Sequence, residues 1–483
     1  MAGGAINGRC KVNGALGADL NIRFQTAIEM PGTGFIIRGC SDLSPDTTPM
    51  IKFSRTALCA AIAGLCVNAA VAAPKKPAAK AEAPKAAAVA DVAATEIELV
   101  HSLGADKGAQ LQKLVDRYNA SNPTGPKIVI HDRAWNAGAT PHLMILGERD
   151  LPAFLSGPQR YRPLHQVMKE AGVAMETLRA PAMMTPTPFD AQKRLIALPV
   201  GLSTPVMYYN KDAFKAAGLD PEVPPKTWQE LQAALGKVVA NGQACPYTTT
   251  QPAWILVENM SAWHNEPVVT EGKKTSLAIN GMLEVKHVAM LSSWYKARYL
   301  QLFGRDEEAI EHFSNGECAV LTAASGVWPT LQRQASFKVG VATLPYHEEY
   351  YGAPQNTLAD GPAMWVAAGK KPAEYKAVAR FVNFWLTGES QVEWQRNAGY
   401  LPLNRAGLLA SESRLLAADL VNIHVGVKQL TNKPVTAASK ASAYPQRAAV
   451  RRIIEEELES VWEDRKPSKL ALDTAVARSR TID

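Results

Sequence analysis

The sequence predicts an α/β protein of two lobes joined by chain crossings. Three observations predict it. The chain has 483 residues, 47% hydrophobic and 20% charged, which is enough to bury two substantial cores. Strand and helix patterns take turns from Thr95 onward, the signature of a largely parallel sheet. The segment Ser203 to Leu231, STPVMYYNKDAFKAAGLDPEVPPKTWQEL, runs an apolar strand into a short helix and then a longer one, as a crossing between lobes would.

The first elements to account for precede any fold. Met50 is followed by Lys52 and Arg55, the apolar run Thr56 to Ala73, and the small-residue triplet Ala70-Val71-Ala72. That is the basic, apolar and cleavage pattern of a secretory signal, so residues 50-72 are expected to be a signal peptide cleaved after Ala72. The run is short and Ala-rich with no basic stop-transfer flank, which argues against an anchor. Residues 1-49 stand in front of the signal as a doubtful extension, with Met50 as the expected start. Residues 73-94 are Ala-, Lys- and Pro-rich, too poor in large apolar groups to pack, and read as a linker.

Charge and cysteine content narrow the function. Of the net +7, residues 1-72 carry six Lys/Arg against four Asp/Glu, so about +5 is spread over the rest, and no nucleic-acid partner is expected. Four of the six cysteines fall in the segments above. Cys245 and Cys318 remain, either as one disulfide or as two buried thiols.

The folded part then reads in order. Ile97 to Val100 is a strand. Leu111, Leu114, Val115 and Tyr118 give a helical stripe, and Lys127 to Ile130 and His142 to Leu146 are further strands. After the crossing, Asn210 stands at a helix N-cap, Gly218 at a left-handed C-cap, and Thr227 with Glu230 forms a capping box before Leu231, Leu235 and Val238. Long helices are predicted over Thr227 to Ala240 and Met282 to Leu300. Asn315-Gly316 turns into a strand Cys318 to Thr322, with Phe337 to Leu344 and Pro362 to Ala367 as strands returning to the first lobe. Helices over Tyr375 to Leu386, Ser390 to Asn397, Pro445 to Trp462 and Pro467 to Arg478 close the chain. The expected division is 95-204 plus about 320-370 in lobe 1, and 205-319 plus about 371-483 in lobe 2 with hinge-spanning helices.

No catalytic constellation emerges. The nine histidines are scattered, with no H-x-x-x-H pair, no G-x-S-x-G elbow and no C-x-x-C, so no enzyme activity and no metal are expected. No Gly-rich phosphate loop is present, and no cofactor is expected. Glu455-Glu456-Glu457 and Glu459 beside Arg451 and Arg452 read as solvated i, i+4 pairing. Aromatic residues are more suggestive: Trp254 and Trp263 bracket ILVENMSA, while Trp328, Trp365 and Tyr400 adjoin Gly or Pro where side chains can line a cleft. Core packing is the competing reading for each.

The S-T-P-V-x-Y-Y-N-K-D-A-F block, with WILVENMSAW (254 to 263), FSNGECAV (313 to 320), APQN (353 to 356), GYLPLN (399 to 404) and EELESVW through LDTAVAR (456 to 478), resembles the periplasmic sn-glycerol-3-phosphate-binding proteins of ABC importers. The resemblance runs from about Glu96 to Arg480. It implies the two-lobed periplasmic binding protein fold, a ligand cleft between the lobes, a monomer in the periplasm, and inner-membrane ABC permease subunits with a separate ATPase as partners. It also implies a ligand set, carried over by motif: Glu148, Ser203, Ala324 with Ser325 beside it, Gly361, Tyr400, and an arginine whose place falls near Lys440. Ser203, Ser325, Tyr400 and the Gly361 N–H would donate to phosphate, Lys440 would supply charge, and Glu148 would accept from hydroxyls. Trp254 and Trp263 complete the expected ligand-binding set.

The sequence departs from the family in three places. The stretch between Ile130 and Pro141 is short and lacks a tyrosine, Ala324 stands for a serine, and Lys440 for an arginine. Lysine cannot make the planar two-pronged contact to phosphate. The expected ligand is therefore sn-glycerol-3-phosphate or a glycerophosphodiester such as glycerophosphocholine. The alternatives are a neutral oligosaccharide or polyol, and, from another class, an exported phosphodiesterase.

Overall fold

The computed structural model describes residues 9–10, 22–23, 96–173, 188–192, 194–270, 275–403, 405–439 and 446–482. The expected signal peptide, the linker and Lys440 lie outside these residues. The chain divides into two compact units, Met1–Ala87 and Ala88–Asp483. In the first, Arg9–Cys10 pairs antiparallel with Ile22–Arg23. Everything below concerns the second.

Two five-stranded sheets organise that unit. In chain order, their strands are β1 (Ile97–His101), β2 (Ile128–Asp132), β3 (Leu143–Leu146), β4 (Leu198–Pro199), β5 (Pro205–Asn210), β6 (Cys245–Thr249), β7 (Leu300–Gln301), β8 (Cys318–Ala324), β9 (Val339–Ala342) and β10 (Ala363–Val366). The first lobe's sheet runs β2-β1-β3-β10-β4 and the second's β7-β6-β8-β5-β9. Both are mixed rather than purely parallel. β10 is antiparallel to both its neighbours, and β5 is antiparallel to β8 and β9. These are the strands that begin just after a crossing, so they enter their sheets from the opposite end. The sequence placed about 320-370 in the first lobe; the pairings put β8 and β9 in the second lobe and β10 in the first.

Each sheet is covered on both faces, and the period-2 alternation of strands decides which residue goes where. Along β5, Met207 and Tyr209 enter one core of the second lobe while Val206 and Tyr208 enter the other. In β3 and β10, Leu143, Ile145, Met364 and Val366 face the main core of the first lobe, and Met144, Leu146, Ala363 and Trp365 its outer core. Trp365 is therefore packed with Phe154 and Tyr161, away from any cleft. In the short stretch after β2, Trp135 packs edge-on against Phe154 and covers that outer core.

Helices fill the remaining faces. Helix α1 (Ala105–Ser121) buries Leu111, Leu114, Val115 and Tyr118, the predicted stripe. Asn210 caps the helix Lys211–Ala216 by accepting from the N–H of Asp212 and Ala213, Gly218 has φ +71°, and α2 (Trp228–Ala240) carries the Thr227–Glu230 capping box. The later helices are α3 (Met282–Lys296), α4 (Pro372–Trp385), α5 (Gly388–Ala398), α6 (Ala417–Leu430), α7 (Arg447–Trp462) and α8 (Ser468–Ser479). Helices α4 and α5 pack on the first lobe, not the second, through Phe381, Trp385 and Trp394. Helices α7 and α8 pack on the second. Helix α6 lies over the junction: Gln429 donates to the Pro205 carbonyl and accepts from the Leu344 N–H. Among the described residues no helix is long and apolar enough to cross a membrane.

Cys245 and Cys318 are joined in a disulfide, resolving the two readings the sequence left open. The residues are direct partners in the parallel register of β6 and β8. The bond closes a loop of 73 residues in sequence separation. Reducing it is expected to lower stability by about 2–4 kcal/mol, chiefly by freeing the unfolded chain. Urea denaturation with and without reductant checks this; unchanged midpoints would contradict it.

Candidate ligand-binding site

Two chain crossings run side by side between the lobes. Ser203 on the first and Asp360 on the second exchange both backbone hydrogen bonds at 2.9 Å. Thr204 Oγ1 donates to Thr357 Oγ1 and to the Leu358 carbonyl. The crossings approach so closely that a Cβ on Gly361, whose φ is +149°, would lie 2.2 Å from the Gly201 carbonyl oxygen. Glycine is required there both for φ and for space.

Hydroxyl groups gather at this junction. Ser203 Oγ lies 3.1 Å from Ser325 Oγ and accepts from the Gly326 N–H at 3.0 Å. Ser325 follows Ala324 at the end of β8 and accepts from the Thr204 N–H. Tyr400 reaches the same place from the other side. Its ring stacks on Trp394, and Gly201 and Gly326 leave room for it. Lys107 Nζ sits 5.4 Å from the centre of that ring.

Beside the hydroxyls is a partly buried ion cluster centred on Arg451 of α7. Its Nη1 donates to Glu148 at 2.5 Å and to Asp360 at 2.8 Å. Its Nε and Nη2 grip Glu258 in a two-pronged pair at 2.8 and 2.7 Å. One turn earlier, Arg447 donates to Asp360 at 3.3 Å. The three carboxylates come from three places: the end of β3 in the first lobe, a wide-turned helix Ala253–Asn259 in the second, and the second crossing. Such wide turns cluster at functional sites. Here the turn sends Glu258 and Trp254 to Arg451 together, with the guanidinium 5.8 Å from the Trp254 ring centre.

Burial sets the electrostatics. It pushes the Glu148 carboxyl up to about 7, against the pull of Arg451. Among the described residues its buried Oε1 has no hydrogen-bond partner. Burial would raise Asp360 too, but Arg447 and Arg451 overcome it and hold that carboxyl at about 2. A raised carboxyl means the native state keeps a proton that the unfolded chain releases. Glu148's contribution to stability is therefore present below its ordinary value of 4.5 and lost as pH rises through about 7. Relative to wild type, Glu148→Gln is expected to gain on the order of 1–3 kcal/mol between pH 4.5 and pH 8. Urea denaturation at the two pH values measures it, and a pH-independent difference would contradict it.

Two ion pairs span the rim between the lobes, Arg149–Asp306 at 3.1 Å and Arg333–Asp106 at 2.9 Å. Both are well exposed and add little stability, but they mark where the lobes meet. The junction sets the hydroxyls of Ser203 and Ser325 beside guanidiniums that are paired to three carboxylates. Among the described residues no group of three or more His, Cys, Asp and Glu is placed to hold a metal ion.

Residues 113–413, more than half of the chain, match the family of bacterial extracellular solute-binding proteins. The chain belongs to that family. Two relatives are the sn-glycerol-3-phosphate-binding periplasmic proteins UgpB of Yersinia pestis bv. Antiqua (strain Antiqua) and Pectobacterium atrosepticum. They are 34% and 35% identical over 408 residues, covering 81% of this chain and 93% and 91% of theirs. Among solved structures, UgpB from Mycobacterium tuberculosis in complex with glycerophosphocholine gives a TM-score of 0.65 at 19% identity, covering 81% of this chain and 98% of that one. Maltose-bound T. maritima MalE3 gives 0.64 at 18%, covering 81% and 100%. At such identities these structures bear on the fold alone, a two-lobed one.

In this solute-binding protein, Glu148, Ser203, Ala324, Ser325, Gly361, Tyr400 and Trp254 converge on the junction of the lobes. Trp263 does not join them; it is buried in the second lobe's core with its Nε1 on the Leu344 carbonyl. The Gly361 N–H is engaged by Asp360 Oδ1 at 2.8 Å. Arg447, Arg451, Glu258, Asp360 and Lys107 escaped the sequence reading. Arg451 is no solvated partner of its neighbours on α7, whereas Arg452 is, pairing with Glu456 while 74% exposed. The available signal was the i, i+4 spacing of Arg447 and Arg451, which puts both on one helix face just inside the helix start.

Proposed function

We propose that this protein is the substrate-binding subunit of an ABC importer, capturing sn-glycerol-3-phosphate or its diesters in the periplasm and delivering them to an inner-membrane permease driven by a separate ATPase. The observation that carries this reading is the pair Arg447 and Arg451, partly buried where the lobes meet beside Ser203, Ser325 and Tyr400. Guanidiniums suit phosphate; the Nε–Nη2 edge of Arg451 is held by Glu258, so a phosphate would meet the Nη1 side, beside Glu148 and Asp360. Relatives 34% identical over most of the chain carry sn-glycerol-3-phosphate binding in their names, which supports the same ligand class. The glutamate, the hydroxyls and the guanidiniums come from both lobes and the crossings. A ligand touching all of them would favour the closed form, and closure is the signal a permease can read.

Charge balance favours a diester over a monoester. Glu148, Glu258 and Asp360 face Arg447 and Arg451, so a monoanion meets less repulsion than a dianion. Titration calorimetry with sn-glycerol-3-phosphate, glycerophosphocholine and maltose tests the reading. Saturable binding of a phosphate ester and none of maltose is expected; binding of maltose alone would replace it with the neutral-sugar alternative.

A further inference from the structure

Helix α7 does not stop at the anion site. Beyond Arg451, the same side of the helix carries Glu455, Glu459 and Trp462 into a second pocket, about 190 Å³ in volume, on the second lobe. Its apolar lining includes Tyr295 and Leu302, and the Tyr295 and Trp462 rings stand 6.1 Å apart, tilted by 31°. The volume falls below the roughly 300–1,000 Å³ typical of drug-sized ligands and suits a small headgroup.

The acids of this pocket differ in their partners. Glu459 is held by Arg305 through two bonds of 2.6 Å, and Glu463 at the edge by Arg465 at 2.5 Å. Glu455 makes no hydrogen bond or ion pair among the described residues. Burial raises its carboxyl to about 7, with Arg305 and Arg451 pulling down and Asp306 and Glu459 pushing up. A half-buried carboxylate without a partner is costly, and a cation is what would relieve it. Next to it stand two aromatic rings, whose faces attract cations and tolerate methyl groups. A hydrated metal ion would gain little from those rings; an organic cation uses both features.

We propose that this pocket binds a small organic ammonium group, with Glu455 as its counter-ion and the Trp462 and Tyr295 rings as its walls. The group has two sources, a free ammonium compound or the headgroup of a phosphodiester whose phosphate lies on Arg451. Glu455 follows Arg451 by one helical turn, about 6 Å of rise, so one ligand can reach both. The headgroup form rests on the function proposed above; the free-cation form does not.

Calorimetry on the full chain with choline chloride, glycerophosphocholine and sn-glycerol-3-phosphate separates these forms, using wild type, Glu455→Gln and Tyr295→Ala. Tyr295 is 37% exposed, so its removal spares the core. Choline binding that either variant weakens roughly tenfold, with sn-glycerol-3-phosphate unaffected, supports the free-cation form. If only glycerophosphocholine binding falls by roughly tenfold in the variants, with sn-glycerol-3-phosphate unaffected, the headgroup form is supported. Choline binding without binding of either phosphate ester would refute the phosphate reading and leave the pocket standing. Wild type binding neither choline nor glycerophosphocholine overturns the proposal, as does an equal loss of all ligands in the variants or no loss of any.

Discussion

Arg451→Ala is expected to abolish phosphate-ester binding and to destabilise the protein by about 3–5 kcal/mol. Both effects have one cause. Removing the guanidinium leaves the buried Glu258 together with the partly buried Glu148 and Asp360, with Arg447 the cation still on Asp360. Glu258 suffers most, since it is 2% exposed and loses a two-pronged pair. Part of the cost is relieved by proton uptake at Glu148, whose carboxyl already lies near 7, so the loss should be smaller at pH 5.5 than at pH 8. Arg451→Lys keeps the charge without the fork. It should fold better than the alanine variant yet still weaken the ligand by at least roughly a hundredfold. Urea denaturation and calorimetry read the two effects separately, and an alanine variant of wild-type stability would show that the cluster is not holding the lobes' junction together.

Gly361→Ala is expected to be nearly as damaging, though no charge is touched. Alanine at φ +149° is strained, and its Cβ would collide with the Gly201 carbonyl at 2.2 Å. That neighbour is backbone on the other crossing, so it cannot rotate away as a side chain would. The crossings must separate, breaking contact between Ser203 and Asp360 and displacing the hydroxyls that depend on them. A loss of about 3 kcal/mol follows from combined strain and overpacking. Gly352→Ala is the control. Its φ is +87° but no atom lies within 4 Å, so it should cost only about 1–2 kcal/mol. Equal losses in the two variants would mean that backbone strain alone matters and the close crossing does not.

These two residues also show what was legible in the sequence. Local chemistry was read well: the Asn210 cap, the Gly218 turn and the Thr227–Glu230 box are each decided within four residues and appear as expected. Gly361 came through the family motif, and the crossing explains why that motif needs it. Arg451 was lost because its partners are 303, 193 and 91 residues away, while Glu455 one turn along offered an apparent local mate. Nothing in a local pattern separates a solvated Arg–Glu helix face from one turned inward.

The same limit governs the lobes and the aromatics. Whether Cys318–Ala324 and Val339–Ala342 belong to the first or second sheet depends on pairing with Pro205–Asn210, which the hydrophobic pattern does not encode. Trp254 and Trp263 look alike in sequence, flanking one block. The wide-turned helix between them sends the first to Arg451 and leaves the second in the core on Leu344. Proximity to Gly or Pro, which suggested a cleft for Trp365, instead reflects where a strand of the outer core begins.

A crystal structure of the protein with glycerophosphocholine or sn-glycerol-3-phosphate would show whether Arg451 holds the ligand. Phosphate oxygens are expected within hydrogen-bonding distance of the Arg451 guanidinium, with Arg447 adjacent, and hydroxyls of Ser203 or Ser325 completing the contact. A phosphate seated elsewhere, with Arg451 still tied to Glu148, Glu258 and Asp360 and touching no ligand, would contradict it and reduce the cluster to a structural joint between the lobes.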